Sequence, residues 1–391
     1  MKRILLPALF LLFSFLYGCS QPGSTGEIKT GASRTDLYFP LLTDMKVGVV
    51  ANHTSLIEGT HLVDSLVSSG IDVERIFSPE HGFRGTADAG AHIEDGVDAT
   101  TGISVLSLYG ANRKPGADQL DGLDVMLFDI QDVGTRFYTY ISTLQYVMEV
   151  CADMGIPLIV LDRPNPNGHL VDGPVLDTAF RSFVGMQPVP VAHGMTVGEY
   201  ALMLNGEAWL EGGAECKLRV IECLNWDHNR EYRLEVAPSP NLPNQNSVWL
   251  YPSICFFEGT VFSCGRGTDY PFQLFGHPDY PDKDFSFTPR PGAGAASPKL
   301  NGEACFGVDL TEAEELGIVP LDRLELEWLI NAYTLFPDKD SFFIPYFNTL
   351  AGTDKLKQQI IDGLSEDEIR QSWEKDLEAF KATRSKYLIY E

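Results

Sequence analysis

Five short apolar runs, each closing on a polar loop, constrain this chain more than any other feature. They cover residues 46–50 (KVGVV), 73–77 (VERIF), 104–109 (SVLSLY), 124–130 (DVMLFDI) and 156–161 (IPLIVL). Near-continuous aliphatic strands of this kind belong to a parallel sheet buried on both faces. Helical periodicity lies between them. Residues 61–69 carry Leu62, Leu66 and Val67 on one face and stop at Gly70, and residues 137–154 stop at Gly155. The alternation predicts an α/β, Rossmann-like domain with right-handed crossovers.

Open parallel sheets bind ligands beyond the carboxyl ends of their strands. Those ends here carry Asn52-His53, Glu80-His81, Asp129 with Asp132, and Asp162-Arg163 with Asn165. The loop SPEHGFRG, residues 78–85, sets an acid, an imidazole and the guanidinium of Arg84 among small residues. Neither G-x-G-x-x-G after a strand nor a Walker sequence occurs, so no nucleotide cofactor is expected.

At 391 residues the chain has length for two domains. The proline-rich stretch 238–244 (PSPNLPN) suits neither a helix nor a central strand. It is read as the passage from a first domain, 37–237, to a smaller α/β (α+β) domain, 238–391. Thr196 and Glu199 have capping-box spacing ahead of a helix over 196–204. Further elements are expected as a strand at 217–221 and helices at 321–334 and 365–384. The last helix carries Ile369, Trp373, Leu377 and Phe380 on one face. Residues 279–298 read as a Pro/Gly-rich surface loop.

The first nineteen residues read as a targeting segment rather than structure. Lys2 and Arg3 precede an apolar run over 4–17, and Gly18-Cys19 follows. This resembles a bacterial lipoprotein signal whose cleavage leaves Cys19 as the lipidated first residue, with residues 20–36 as a polar tether. The expected location is the bacterial cell envelope, lipid-anchored. A net charge of −25 argues against nucleic acid and against electrostatic capture by anionic lipid. No obligate protein partner is implied. Cys151, Cys216, Cys223, Cys255, Cys264 and Cys305 contain no C-x-x-C pair, so structural zinc is not expected. Pairing of Cys216 with Cys223, or of Cys255 with Cys264, is left open.

The candidate chemistry belongs to carboxylates. Glycoside hydrolysis needs a protonated acid at the leaving oxygen and a second group on the other face of the sugar. Glu80, beside an apolar strand, could keep its proton through partial burial, or be a buried, capped or paired glutamate. Asp129 and Asp132 could act, or cap the following helix. Arg266, between Gly265 and Gly267, could clamp a carboxylate or hold its own loop. His53, His61, His81 and His92 show no metal-binding spacing.

Beyond this residue-level reading, long strings resemble the exo-β-N-acetylmuramidase (NamZ) family. They are VANHTS (50–55), FSPEHGFRGTADAG (77–90), FDIQDVGTRFYTYISTL (128–144), LDRPNPNG (161–168), VDGPVLD (171–177), HGMTVGEYA (193–201), PSPNLPN (238–244) and FEGTVFSCGRGTDYPFQ (257–273). The resemblance implies release of N-acetylmuramic acid from the non-reducing end of peptidoglycan-derived glycans, in a cleft between two domains. It places the general acid on Glu80, with His81, Asp129, Asp132 and Asn52 lining the same cleft. Substrate contacts are expected from His53, Asn165 and Glu258, and the sugar's carboxylate from Arg266 first, with Arg84, Arg136 and Arg163 as rivals. A direct second carboxylate and attack by the substrate's own acetamido group both stay open. The alternatives are a non-catalytic glycan-binding lipoprotein and a metal-dependent amidase.

Overall fold

The computed structural model describes residues 26–79, 82–84, 95–110 and 112–390. At its centre lies a seven-stranded sheet. Its strands are β1 (Lys46–Ala51), β2 (Asp72–Ser78), β3 (Gly96–Val97), β4 (Ser104–Ser107), β5 (Val125–Asp129), β6 (Leu158–Leu161) and β7 (Leu218–Ile221). The order across the sheet is β7-β6-β5-β1-β2-β4-β3, parallel throughout except for β3 on the edge. The chain leaves β1 toward β2 on one side and later returns to β5 on the other. The crevice of such a sheet therefore opens beyond the carboxyl ends of β1 and β5.

The faces follow from the two-residue period of a strand. Val47, Val49, Val125, Leu127, Ile159 and Leu161 point to one side, where helix α1 (Leu62–Ser68) packs through Leu62, Val63 and Leu66. Val50, Met126, Phe128, Leu158 and Val160 point to the other, against α2 (Tyr140–Met154) and α3 (Val197–Gly206). Gly48 is needed for close approach: a Cβ there would lie 2.3 Å from the Met126 sulfur. Gly155 ends α2 in the left-handed conformation, and Thr196 and Glu199 form the expected capping box on α3.

Three expectations change in detail. Helix α2 begins at Tyr140 rather than 137: residues 135–138 close a turn of their own, Tyr138 N to Thr135 O (2.8 Å), and the first carbonyl of the helix ladder is that of Thr139, which accepts from Thr143 N (3.0 Å). The helix expected from 321 is α5 (Glu327–Leu335). Its preceding turn is bonded elsewhere, Leu324 N to Asp172 Oδ2 (2.8 Å) and Glu325 N to Ser253 Oγ (2.9 Å). The loop 279–298 contains a strand, Ser286–Phe287, paired to Cys305–Asp309, which also pairs with Leu274–His277 in a small antiparallel sheet.

Past the proline-rich passage, α4 (Gln245–Ile254) opens the C-terminal part, and one apolar cluster runs unbroken from Val50 and Phe128 to Trp249 and Phe380. Helix α6 (Glu366–Arg384), capped by Ser365 and Glu368, buries Ile369, Trp373, Leu377 and Phe380 as expected. Beyond α6 the chain returns to the first domain. The Tyr390 hydroxyl donates to Asp162 Oδ2 (2.6 Å) and accepts from Cys223 N (2.8 Å). The six described cysteines are free and buried, so neither pairing left open by the sequence is made.

Candidate active site

A cleft lies between the strand-end loops of the first domain and the segment after α4. Its first wall is the turn leading into α2, where Tyr138 and Tyr140 stand with ring centres 5.0 Å apart. Asn52, fully buried at the end of β1, donates through Nδ2 to the Tyr140 hydroxyl (3.0 Å). Its Oδ1 accepts from Thr54 N (2.9 Å) and Thr54 Oγ1 (2.6 Å), which fixes the loop. The Tyr138 hydroxyl donates to Pro238 O (2.8 Å), and His53 Nε2 bonds Ala237 O (2.8 Å). Both side chains therefore tie the first domain to the interdomain passage.

The second wall carries the charge. Glu258 lies in a short 3₁₀ turn, Cys255–Gly259, that continues α4. Arg266 Nε meets Glu258 Oε1 at 2.5 Å, and the guanidinium carbon stands 5.0 Å from the centre of the Phe272 ring. Gly265 and Gly267, both at φ 80, take a left-handed backbone that a side chain would strain. Tyr251, Phe272 and Tyr346 complete this wall. Burial pushes the phenols of Tyr251 and Tyr346 up, so both are neutral hydrogen-bonding groups. Aromatic faces, hydroxyls and one paired carboxylate suit a pyranose ring, whose faces are apolar and whose rim is polar.

The structure pairs Glu258 with Arg266 in the cleft, where both had been expected to contact substrate, and reaches Asn52 through Tyr140. The other expected side chains sit differently. Arg163 clamps Asp129 at 2.6 and 2.9 Å in a fully buried ion pair. Asp132 accepts from Gly134 N (2.7 Å) and faces His193 Nε2 at 4.0 Å, with its Oδ1 unpartnered. Burial pushes Asp132 up to about 7 and His193 down to about 3, the latter helped by Arg384 and Arg136. Arg136 spends its guanidinium on Pro174, Val189, Leu350 and Ala351 carbonyls, and burial lowers it to about 9. Arg84 is held by Asp64 and Asp98, away from the cleft. Asn165 bonds Met195 O and Asn167 N and supports the loop after β6. Glu80 and His81 lie outside the described residues, as do Cys19 and His92. Among the described residues no three His, Cys, Asp or Glu side chains gather to hold a metal ion.

Residues 47–246 match the family described as "Exo-beta-N-acetylmuramidase NamZ, N-terminal", and residues 249–390 match its C-terminal counterpart. The chain belongs to the NamZ family. It is 38% identical over 378 residues to the peptidoglycan beta-N-acetylmuramidase NamZ of Bacillus subtilis, covering 90% of each chain. Two solved structures of DUF1343 family proteins from Bacteroides fragilis share its fold. One is 44% identical with a TM-score of 0.86, over 94% of this chain and 99% of its own. The other is 28% identical at 0.81, over 93% and 99%. In this NamZ-family chain the two matched halves meet within α4, whose end carries the Glu258 wall of the cleft.

Sequence reasoning passed over Tyr138, Tyr140, Tyr251, Tyr346 and Arg113 as cleft residues. The run FYTY over 137–140 held a usable signal, because aromatics at the start of a helix beside a strand-end loop face the crevice. Arg113 sits in an ordinary polar loop and Tyr346 in the aromatic run FFIPYF, residues 342–347, and both reach the cleft only through tertiary packing.

Proposed function

We propose that this chain is a glycoside hydrolase that releases N-acetylmuramic acid from the non-reducing end of peptidoglycan-derived glycans. The observation that carries the reading is the match over both halves to the B. subtilis peptidoglycan beta-N-acetylmuramidase, with the cleft falling where those halves meet. Glu80 is the general acid. In the sequence it follows Ser78 and Pro79, and Ser78 ends β2, the strand paired with β1. The tyrosine walls seat the sugar, and Asn52 aims the Tyr140 hydroxyl. Two routes serve the anomeric carbon: a carboxylate of the protein, or the sugar's own acetamido oxygen. For the first, Glu258 is the carboxylate that the described residues place in the cleft.

The deciding assay uses purified protein and a chromogenic N-acetylmuramide, with and without EDTA. Hydrolysis indifferent to the chelator is expected. Binding without turnover would favour a glycan-binding protein, and a protein that releases no chromophore but cleaves the lactyl–peptide amide of a muramyl peptide in an EDTA-sensitive way would favour a metal-dependent amidase.

The same reading places the protein on a membrane through Cys19, given the basic start, the apolar run over 4–17 and Gly18-Cys19. Wild type is expected in the membrane fraction and Cys19→Ser in the soluble one. Identical soluble behaviour of both would sink the anchor.

A further inference from the structure

The substrate class set out above brings a carboxylate into the cleft, on the lactyl ether that distinguishes muramic acid from N-acetylglucosamine. A site that selects this sugar needs a cation whose hydrogen bonds are not already spent. The four arginines ranked from the sequence fail that test. Arg84 is filled by two aspartates, Arg136 by four carbonyls and Arg163 by Asp129, while Arg266 is neutralised by Glu258.

Among the described residues that line the cleft, one other cation remains, Arg113. It lies in the loop NRKPG, residues 112–116, after β4, and is exposed where it lines the cleft. Its guanidinium carbon sits 4.4 Å from the centre of the Phe183 ring, which also lines the cleft. Stacking on an aromatic face holds the planar fork in one orientation while leaving its edge N–H groups free. Among the described residues no carboxylate pairs with it. Tyr346, from the Glu258 wall, lies in electrostatic reach of both Arg113 and the Glu258–Arg266 pair. Among the described residues the cleft thus presents one compensated charge pair, Glu258 with Arg266, and one guanidinium, that of Arg113, with no carboxylate partner. Its neighbour Lys114 is no rival, being bound to Glu149 and Glu211 at 2.8 Å each.

We infer that Arg113, oriented by Phe183, is the specificity residue that binds the lactyl carboxylate of N-acetylmuramic acid, while Arg266 serves to position Glu258. This rests on the substrate class under "Proposed function", so its test reads binding rather than turnover. The probes are free N-acetylmuramic acid and its lactyl amide, which keeps shape and loses charge, titrated calorimetrically into the full chain. Wild type is expected to prefer the acid. Arg113→Gln should weaken binding of the acid by about tenfold, the size set by a charge-assisted pair on a partly exposed rim, and leave the amide unchanged. Arg113→Lys should recover part of the preference, and Arg266→Gln should weaken acid and amide alike.

Equal binding of acid and amide by wild type, or an Arg113→Gln protein that still prefers the acid, overturns the assignment. So does failure of the acid to bind at all. A wild type that binds the acid selectively through Arg113 yet cleaves no muramide supports the assignment and sinks the hydrolase reading alone.

Discussion

Glu80→Gln is expected to lower turnover of a natural muramyl disaccharide by about 10²–10⁴-fold, the usual worth of a positioned general acid. The amide keeps the size and hydrogen-bonding capacity of the acid but has no proton for the leaving oxygen. The geometry around the position supports the choice. β2 pairs with β1 so that Phe77 sits beside Val50, and the two strands end on the same edge of the sheet. Pro79 and Gly82 bracket Glu80 and His81 and are joined by a bond from Gly82 N to Pro79 O (3.2 Å). With a nitrophenyl glycoside, whose leaving group needs little protonation, the loss should shrink. Near-normal turnover of the disaccharide by Glu80→Gln would remove the residue from the role.

The largest stability effect is expected at the buried pair behind the cleft. Asp129→Ala would strand the Arg163 guanidinium, which is 6% exposed, without its carboxylate. Removing one partner of a buried pair typically costs about 3–5 kcal/mol, because an uncompensated charge stays in a poor solvent for it. The damage would spread. Ser55 Oγ donates to the Asp129 carbonyl and Arg163 Nη2 to Leu56 O (3.1 Å), so both ends of the pair support the loop that carries Asn52. Denaturant midpoints measure this. The double variant Asp129→Leu/Arg163→Met should regain much of the loss, since no charge is then left unpaired. A single variant within about 1 kcal/mol of wild type would show the pair to be dispensable.

The sheet was legible in the sequence because its strands are aliphatic on both faces, a pattern few other settings tolerate. Helix ends were legible where a local device sets them, as at Gly155, Thr196 and Ser365. They were misplaced at 137, where residues 135–138 close a turn of their own, and at 321, where a backbone N–H is claimed by a distant partner, Asp172. The cleft shows the same division. Glu258 and Arg266 are eight residues apart and could be read as a local pair. Arg136 and Arg163 look like ligand-binding arginines by their place after strands. What they hold, carbonyls near residue 350 and a carboxylate on the neighbouring strand, is set by packing that no local pattern records. For the same reason Arg113, in a loop with the composition of ordinary surface, gave no sign of facing Phe183.

Asp132 and His193, 4.0 Å apart and fully enclosed, make folding exchange hydrogen ions in two opposite directions at once. In the unfolded chain the carboxyl titrates near about 3.9 and the imidazole near about 6.5. In the folded chain their order is inverted, to about 7 and about 3. Between about pH 4 and 6.5 the folded carboxyl holds a proton that its unfolded form has lost, which makes stability fall as pH rises. Over the same interval the folded imidazole lacks a proton that its unfolded form carries, which makes stability rise with pH. Acidification therefore finds little purchase on this pair while both members are present. Asp132→Asn should leave the histidine uncompensated and produce a protein that weakens progressively in acid, by as much as about 1.4 kcal/mol per pH unit. His193→Gln should tilt the curve the other way, and if both variants ran parallel to wild type from pH 4 to 7, the two proton movements would not be offsetting one another.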